Sequence, residues 1–227
     1  MNLVELVERY LDTRLNLSKR YRSELKALAR RCSAECGAIN GSLPTQDALL
    51  GWLRRLADQG RSPATLAAYR RMLRAVLNWG AEQGLCPHYT LPVVRVPKPL
   101  PDAWTVEEVS RIIATATTWP GKVGRHLACK WWPALLLTCY YSGARIGSIM
   151  AAEPFDWNPQ HMTLTLRHTK SGAAQVCRLH AQAAEAIARI YDPLAARLFE
   201  WPYCWWHLFV CFRRIVAVSG IAWPSQV

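Results

Sequence analysis

Five prolines fall within residues 87–101, PHYTLPVVRVPKPLP. Proline locks φ and has no backbone N–H, so no helix crosses such a stretch. The 227-residue chain is therefore expected to fold in three parts. These are a helical domain over 1–86, an extended linker over 87–101 and a second domain over 102–227. With 51% apolar residues, both domains have material for a core.

The first domain reads as four helices. Leu3, Leu6, Val7 and Tyr10 recur at helical spacing. Ser18 can cap a second helix through about Arg31, with Tyr21, Leu25, Leu28 and Cys32 on one face. Thr45 opens a third, with Leu49, Leu50, Trp52, Leu53 and Leu56 apolar and Gly60 at its end. Ser62-Pro63 joins a capping hydroxyl to a proline at the first helical position, and that helix runs to about Gln83. Leu66, Tyr69, Leu73, Val76, Leu77 and Gly80 face inward on it.

Charge gives these helices a second face. The chain carries +12 at neutral pH, and a balance that basic points to a polyanionic partner. Residues 1–99 hold 16 Lys and Arg against 8 Asp and Glu, so the excess sits in the first half. Lys19, Arg22, Lys26 and Arg30 form a stripe about 16 Å long, enough to follow several backbone phosphates. Arg70, Arg71, Arg74 and Asn78 share an arc of the fourth helix. Arg61, Thr65 and Lys98 are further candidates for contact with DNA. A solvated basic surface is the bland alternative for any single stripe.

The second domain opens with Thr105 before Glu107-Glu108, a capped helix with acids in its first turn. A polar loop is expected over Lys122 to Arg125, then a strongly apolar helix over Leu127 to Tyr141. Gly143 breaks that helix and Arg145 opens the next turn, where partial desolvation would call for an anionic partner. A turn follows at Pro154–Pro159. Strands at 162–166 and 175–179 should pair through a tight turn at Ser171-Gly172, with Lys170 at the tip. Helices over Ala181–Tyr191 and Trp201–Gly220 complete the pattern. The last is apolar almost all round and needs cover on several sides. An Arg fork and a Lys point charge, both fixed, suit one phosphate.

Other chemistries find little support. The eight cysteines include no Cys-x-x-Cys and no His pair at zinc-ligand spacing, so no metal and no cofactor are expected. Cys32 and Cys36, one turn apart, suggest a metal half-site, but helix packing explains them better. No stretch is long and apolar enough to span a membrane, and no signal peptide opens the chain. A reducing, cytoplasmic setting is expected.

Taken together, these parts resemble the tyrosine recombinase (phage integrase) family. Ser142-Gly143-Ala144-Arg145-Ile146 after the apolar helix is similar to the box that supplies the family's first catalytic Arg. Thr169-Lys170-Ser171-Gly172 between two strands is similar to the hairpin that supplies its Lys. The Asp156 turn between them matches the family's spacing. The four-helix unit with Ser62-Pro63-Ala64-Thr65-Leu66 and Tyr69 resembles the DNA-clamping core-binding domain.

The resemblance implies a mainly α fold, with an N-terminal four-helix SAM-like core-binding domain. An incomplete α+β catalytic domain with a small antiparallel sheet would follow. It implies double-stranded DNA as partner, a possible homo-oligomer on DNA, a prokaryotic, nucleoid-associated setting, and neither a membrane nor a small-molecule substrate.

The family breaks and rejoins DNA through a phosphotyrosine intermediate, with fixed cations in place of a metal. By position Arg145 would bind a non-bridging phosphate oxygen and Lys170 would protonate the leaving oxygen. Three features depart from the pattern. Ser148 stands where the family places an acid. None of the six His has Arg three residues on, and Tyr203 is the last Tyr. The chain is thus expected to be a mobile-element recombinase truncated before its nucleophile, able to bind DNA but not to cleave it. The alternative is a non-catalytic DNA-binding module or regulator that occupies recombination sites. A basic helical interaction protein with no nucleic-acid role is the third reading.

Overall fold

Four hydroxyl side chains that the sequence marks as helix starts do cap helices. Ser18, Thr45, Ser62 and Thr105 accept the N–H groups of Tyr21, Ala48, Thr65 and Glu108, each at 3.2 Å. Each satisfies one otherwise orphaned helical donor, a contribution of about 1 kcal/mol. The computed structural model describes residues 1–36, 41–97, 103–170 and 172–224. The chain divides into two units, Met1–Pro99 and Leu100–Val227.

The first unit is built from α1 (Leu3–Asp12), α2 (Lys19–Glu35), α3 (Gln46–Asp58) and α4 (Pro63–Glu82). Leu3, Leu6, Leu25, Leu49, Trp52 and Leu73 are fully buried in its core. Tyr69 stacks on Trp52 with ring centroids 6.0 Å apart. Gly80 is a packing glycine. A Cβ there would lie 2.8 Å from Cys86 Sγ and 3.0 Å from Leu6 Cδ1, so a larger residue would push Cys86 or Leu6 aside.

The proline-rich stretch differs from a free linker. Residues 87–97 contain neither helix nor strand, as proline demands, yet Tyr89 and Leu91 are buried in the first core. Tyr89 Oη donates to Pro44 O at 3.0 Å, and the Thr90 N–H donates to Gln46 Oε1 at 2.7 Å. Proline forbids a helix but not packing, and apolar side chains on an extended strap still gain from burial.

The second unit begins with α5 (Val106–Thr117). Residues 122–127, expected to begin as a loop, instead form a small hairpin of β1 (Lys122–Val123) and β2 (His126–Leu127). Gly124, with φ of +56°, makes its turn possible. Then come α6 (Ala128–Ser142), α7 (Ile146–Met150) and a 3-10 turn at Pro154–Asp156. Strands β3 (Trp157–Asn158), β4 (Thr163–Leu166) and β5 (Gln175–Arg178) form an antiparallel sheet in that order. The stretch expected as a plain turn at 154–159 thus also supplies β3. Its two residues are too few for a period-2 signal.

Leu164 and Leu166 face inward, and Leu164 lies opposite Cys177 in the β4–β5 register. Trp131 and Trp132 of α6 meet edge to face at 5.0 Å and are buried. Helix α8 (Ala181–Ala188) packs on α6, and α9 (Trp205–Val218) packs on α5.

The last helix is shorter than the apolar run that predicts it. It buries Leu208, Ile215 and Val216 and leaves Trp206 69% and Val218 68% exposed. Residues after α9 return over part of it. Trp104 Nε1 donates to Ala222 O at 3.0 Å, and the Trp223 ring meets Trp104 at 5.4 Å and Phe212 at 5.6 Å. Among the described residues, no helix is long and apolar enough to cross a membrane. The fold is mainly helical with a small antiparallel sheet, as expected.

Candidate nucleic-acid interface and phosphate site

Arg145 is placed by backbone chemistry. Helix α6 ends at Gly143, whose φ of +59° is a left-handed cap that glycine adopts without strain. The turn is tightened by the Ala144 N–H, which donates to Ser142 Oγ at 3.2 Å. Arg145 is the cap residue of α7. Its carbonyl accepts from the Ser148 N–H at 2.8 Å and the Ile149 N–H at 3.2 Å. Ser148 and Ile149 are both buried, so the main chain beneath Arg145 is anchored.

Its side chain is exposed, which corrects the expected desolvation. Among the described residues Arg145 has no ion-pair partner.

Lys170 is exposed in the connection between β4 and β5. That connection is longer than the tight turn expected, because the last pair of the ladder is Leu166 with Gln175. Ser171 lies outside the described residues. The loop is closed by the Gly172 N–H, which donates to Thr169 O at 3.2 Å, and by Thr169 Oγ1, which donates to Ala173 O at 2.6 Å. Lys170 sits between these bonds and has no ion-pair partner among the described residues.

A pair that sequence spacing misses links the two segments. Arg167 Nε donates to Asp156 Oδ1 at 2.6 Å, and the Asp156 side chain is only 3% exposed. The other Asp156 oxygen accepts the Glu153 N–H at 2.9 Å. The Arg167 guanidinium also lies over the Phe155 ring, 5.2 Å from its centroid, a geometry that adds a cation–π attraction. Arg145 thus opens α7, α7 leads into the turn that carries Asp156, and Asp156 grips the strand end that leads to Lys170. The signal available in sequence was an Asp in a turn and an Arg just after a strand. Neither specifies the other without the β3–β4 pairing.

The basic residues of the first unit do not act alike. Lys19 and Arg30 are exposed at either end of their stripe. The two between them are engaged with the first helix and the loop that follows it. Arg22 donates to Arg14 O, and Lys26 Nζ lies 3.8 Å from Glu8 Oε1. On α4, Arg71 and Arg74 are exposed, whereas Arg70 is half-buried. Arg70 donates from Nε at 2.9 Å and Nη2 at 2.7 Å to Leu91 O. Its fork holds the proline-rich strap. Arg61 is exposed, and half-buried Thr65 has its hydroxyl 2.9 Å from Ser62 Oγ. Lys98 lies outside the described residues.

No family model and no curated protein sequence matches the chain. Solved structures do. The integrase of the Tn1549 transposon in complex with a circular intermediate DNA aligns with a TM-score of 0.77 at 14% identity. The alignment covers 100% of this chain and 82% of that one. A lambda integrase dimer bound to a COC′ core site gives 0.75 at 16% identity, over 99% of this chain and 84% of that one. A lambda integrase tetramer bound to a Holliday junction gives 0.74 at 14% identity, covering 99% of this chain and 64% of that one. The chain shares the fold of these integrases.

Proposed function

We propose that this protein binds duplex DNA as a recombinase-like protein of a mobile element. Arg145 and Lys170 would meet one backbone phosphate, and the exposed Lys19, Arg30, Arg61, Arg71 and Arg74 would meet others. The observation that carries this reading is a pair of exposed cations on anchored main chain, Arg145 and Lys170, neither neutralised by a neighbour among the described residues. An unpaired Arg and Lys on anchored main chain can meet a phosphate without first leaving another partner. The fold shared with the integrases solved on DNA supports the same reading.

Residues 1–227 include no His-x-x-Arg and no Tyr after Tyr203. A polypeptide of these residues is expected to bind DNA without forming a phosphotyrosine bond, because the family's nucleophile follows a His-x-x-Arg that they do not include. Buried Ser148, where the family carries an acid, favours the second reading, a module that occupies recombination sites without acting on them.

The test is duplex binding by fluorescence anisotropy over a range of salt, with a suicide substrate run in parallel. Binding that weakens steeply with salt, with no covalent adduct, is the expected result. Absence of salt-dependent binding would sink the DNA reading, and a covalent adduct would sink the claim of inactivity.

A further inference from the structure

Two of the eight cysteines lie together. Cys32 and Cys36 are one turn apart at the end of α2, with their sulfurs 3.6 Å apart. Cys32 is fully buried and Cys36 is half-buried. Both are free thiols, and among the described residues no cluster of three or more Cys, His, Asp or Glu could hold a metal there.

We propose that Cys32 and Cys36 are a peroxide-sensitive dithiol that closes to an intramolecular disulfide. The two sulfurs differ in the way such a reaction needs. The hydrogen bond from Cys32, and then the Arg55 guanidinium, hold Cys36 below the ordinary thiol range. The same contact, together with burial, pushes Cys32 up. Cys36 is thus the accessible attacker and Cys32 the shielded resolving thiol. In the first step the Cys36 thiolate attacks one peroxide oxygen. The O–O bond breaks, and after proton uptake Cys36 sulfenic acid and water remain. In the second step the Cys32 sulfur attacks the sulfenic sulfur and expels hydroxide, which takes the Cys32 proton as water. Two thiols and one hydrogen peroxide give one disulfide and two waters.

Geometry permits the second step. The sulfurs must close from 3.6 Å to about 2.05 Å. Inside a helix that movement would strain the ladder on both sides. Cys36, however, is the residue that ends α2, and its N–H holds a single bond, to Cys32 O at 2.9 Å. Releasing it frees Cys36 to turn. Closure also pulls on the neighbouring Glu35, which accepts Trp52 Nε1 at 2.6 Å and whose carbonyl accepts Arg55 at 2.9 Å.

The experiment treats the reduced full chain with equimolar hydrogen peroxide, then alkylates it in denaturant and maps tryptic peptides. Both cysteines fall in the peptide that begins at Cys32, and they are its only ones. Loss of both alkylatable thiols from that peptide, before exposed Cys204 reacts, is expected. Cys36→Ser should abolish the loss. Cys32→Ser should leave a sulfenic acid that a cyclic 1,3-diketone traps. Oxidation of Cys204 while Cys32 and Cys36 both remain alkylatable would overturn the proposal, as would a disulfide to any other cysteine. If Cys32→Ser fails to fold, Cys36→Ser carries the result, with circular dichroism as its control. No readout involves DNA, so the outcome is separate from that of the DNA reading.

Discussion

Arg167 donates from Nε to the buried Asp156 carboxylate at 2.6 Å, and this bond couples the base of the Lys170 loop to the turn after α7. Asp156 also closes its own turn through the Glu153 N–H. One carboxylate therefore sets the path of the chain just before β3 and just after β4.

Asp156→Ala should lower the stability of the second unit by about 2 kcal/mol, because it removes two hydrogen bonds to a buried carboxylate, one of them from the partly exposed Arg167. Asp156→Asn should cost less, since its amide oxygen can still accept one bond. Chemical denaturation of the three proteins checks the order. Equal stability of Asp156→Ala and parent would show that the bond contributes nothing.

Gly143→Ala should destabilise by about 1–2 kcal/mol although no heavy atom lies within 4 Å of the added Cβ. The cost is backbone strain at φ of +59°, not crowding. Because Arg145 follows two residues later, DNA affinity should fall as well. A thermal melt beside an anisotropy titration separates the two effects.

Arg70 and its neighbours should behave differently when replaced. Arg71→Ala with Arg74→Ala should leave the fold intact and reduce the salt slope of DNA binding by about 2, one unit for each phosphate no longer neutralised. Arg70→Ala should instead lower stability by about 1–3 kcal/mol, since Leu91 O is left without either donor. An unchanged melting temperature in Arg70→Ala would contradict its place as an internal strut.

The first unit should lose stability on the acid side through Glu35. Hydrogen bonds from Arg31 and then Trp52 hold its carboxyl below the usual glutamate range. The folded pKa is thus depressed. The contribution is complete above the unfolded value of about 4.3 and is lost as pH falls through the folded one. Glu35→Gln should flatten the acid limb of a stability-against-pH curve, and an unaltered limb would rule Glu35 out as its source.

Much of the helical framework was legible in the sequence. Hydroxyls placed before apolar periodicity specify helix starts through local hydrogen bonds, so Ser18, Thr45, Ser62 and Thr105 could be read directly. The candidate cations were legible too, because Arg145 follows a glycine that stops a helix and Lys170 lies between two alternating strands. Their environment was not. Arg145 is exposed, and the Lys170 loop is long because the β4–β5 ladder ends at Leu166 and Gln175.

The sequence by itself determined where the hydroxyl-capped helices begin, that no helix crosses the proline run and that the first half is the more basic. These are local or compositional properties, fixed by a residue and its near neighbours. Only the tertiary structure decided which basic residues remain available. Arg70 and Arg71 are adjacent and chemically identical, yet one binds Leu91 O and the other faces solvent. Successive helical residues point about 100° apart, and a strap arriving 21 residues later meets only one of them. That encounter is a long-range contact, and no short window of sequence contains it.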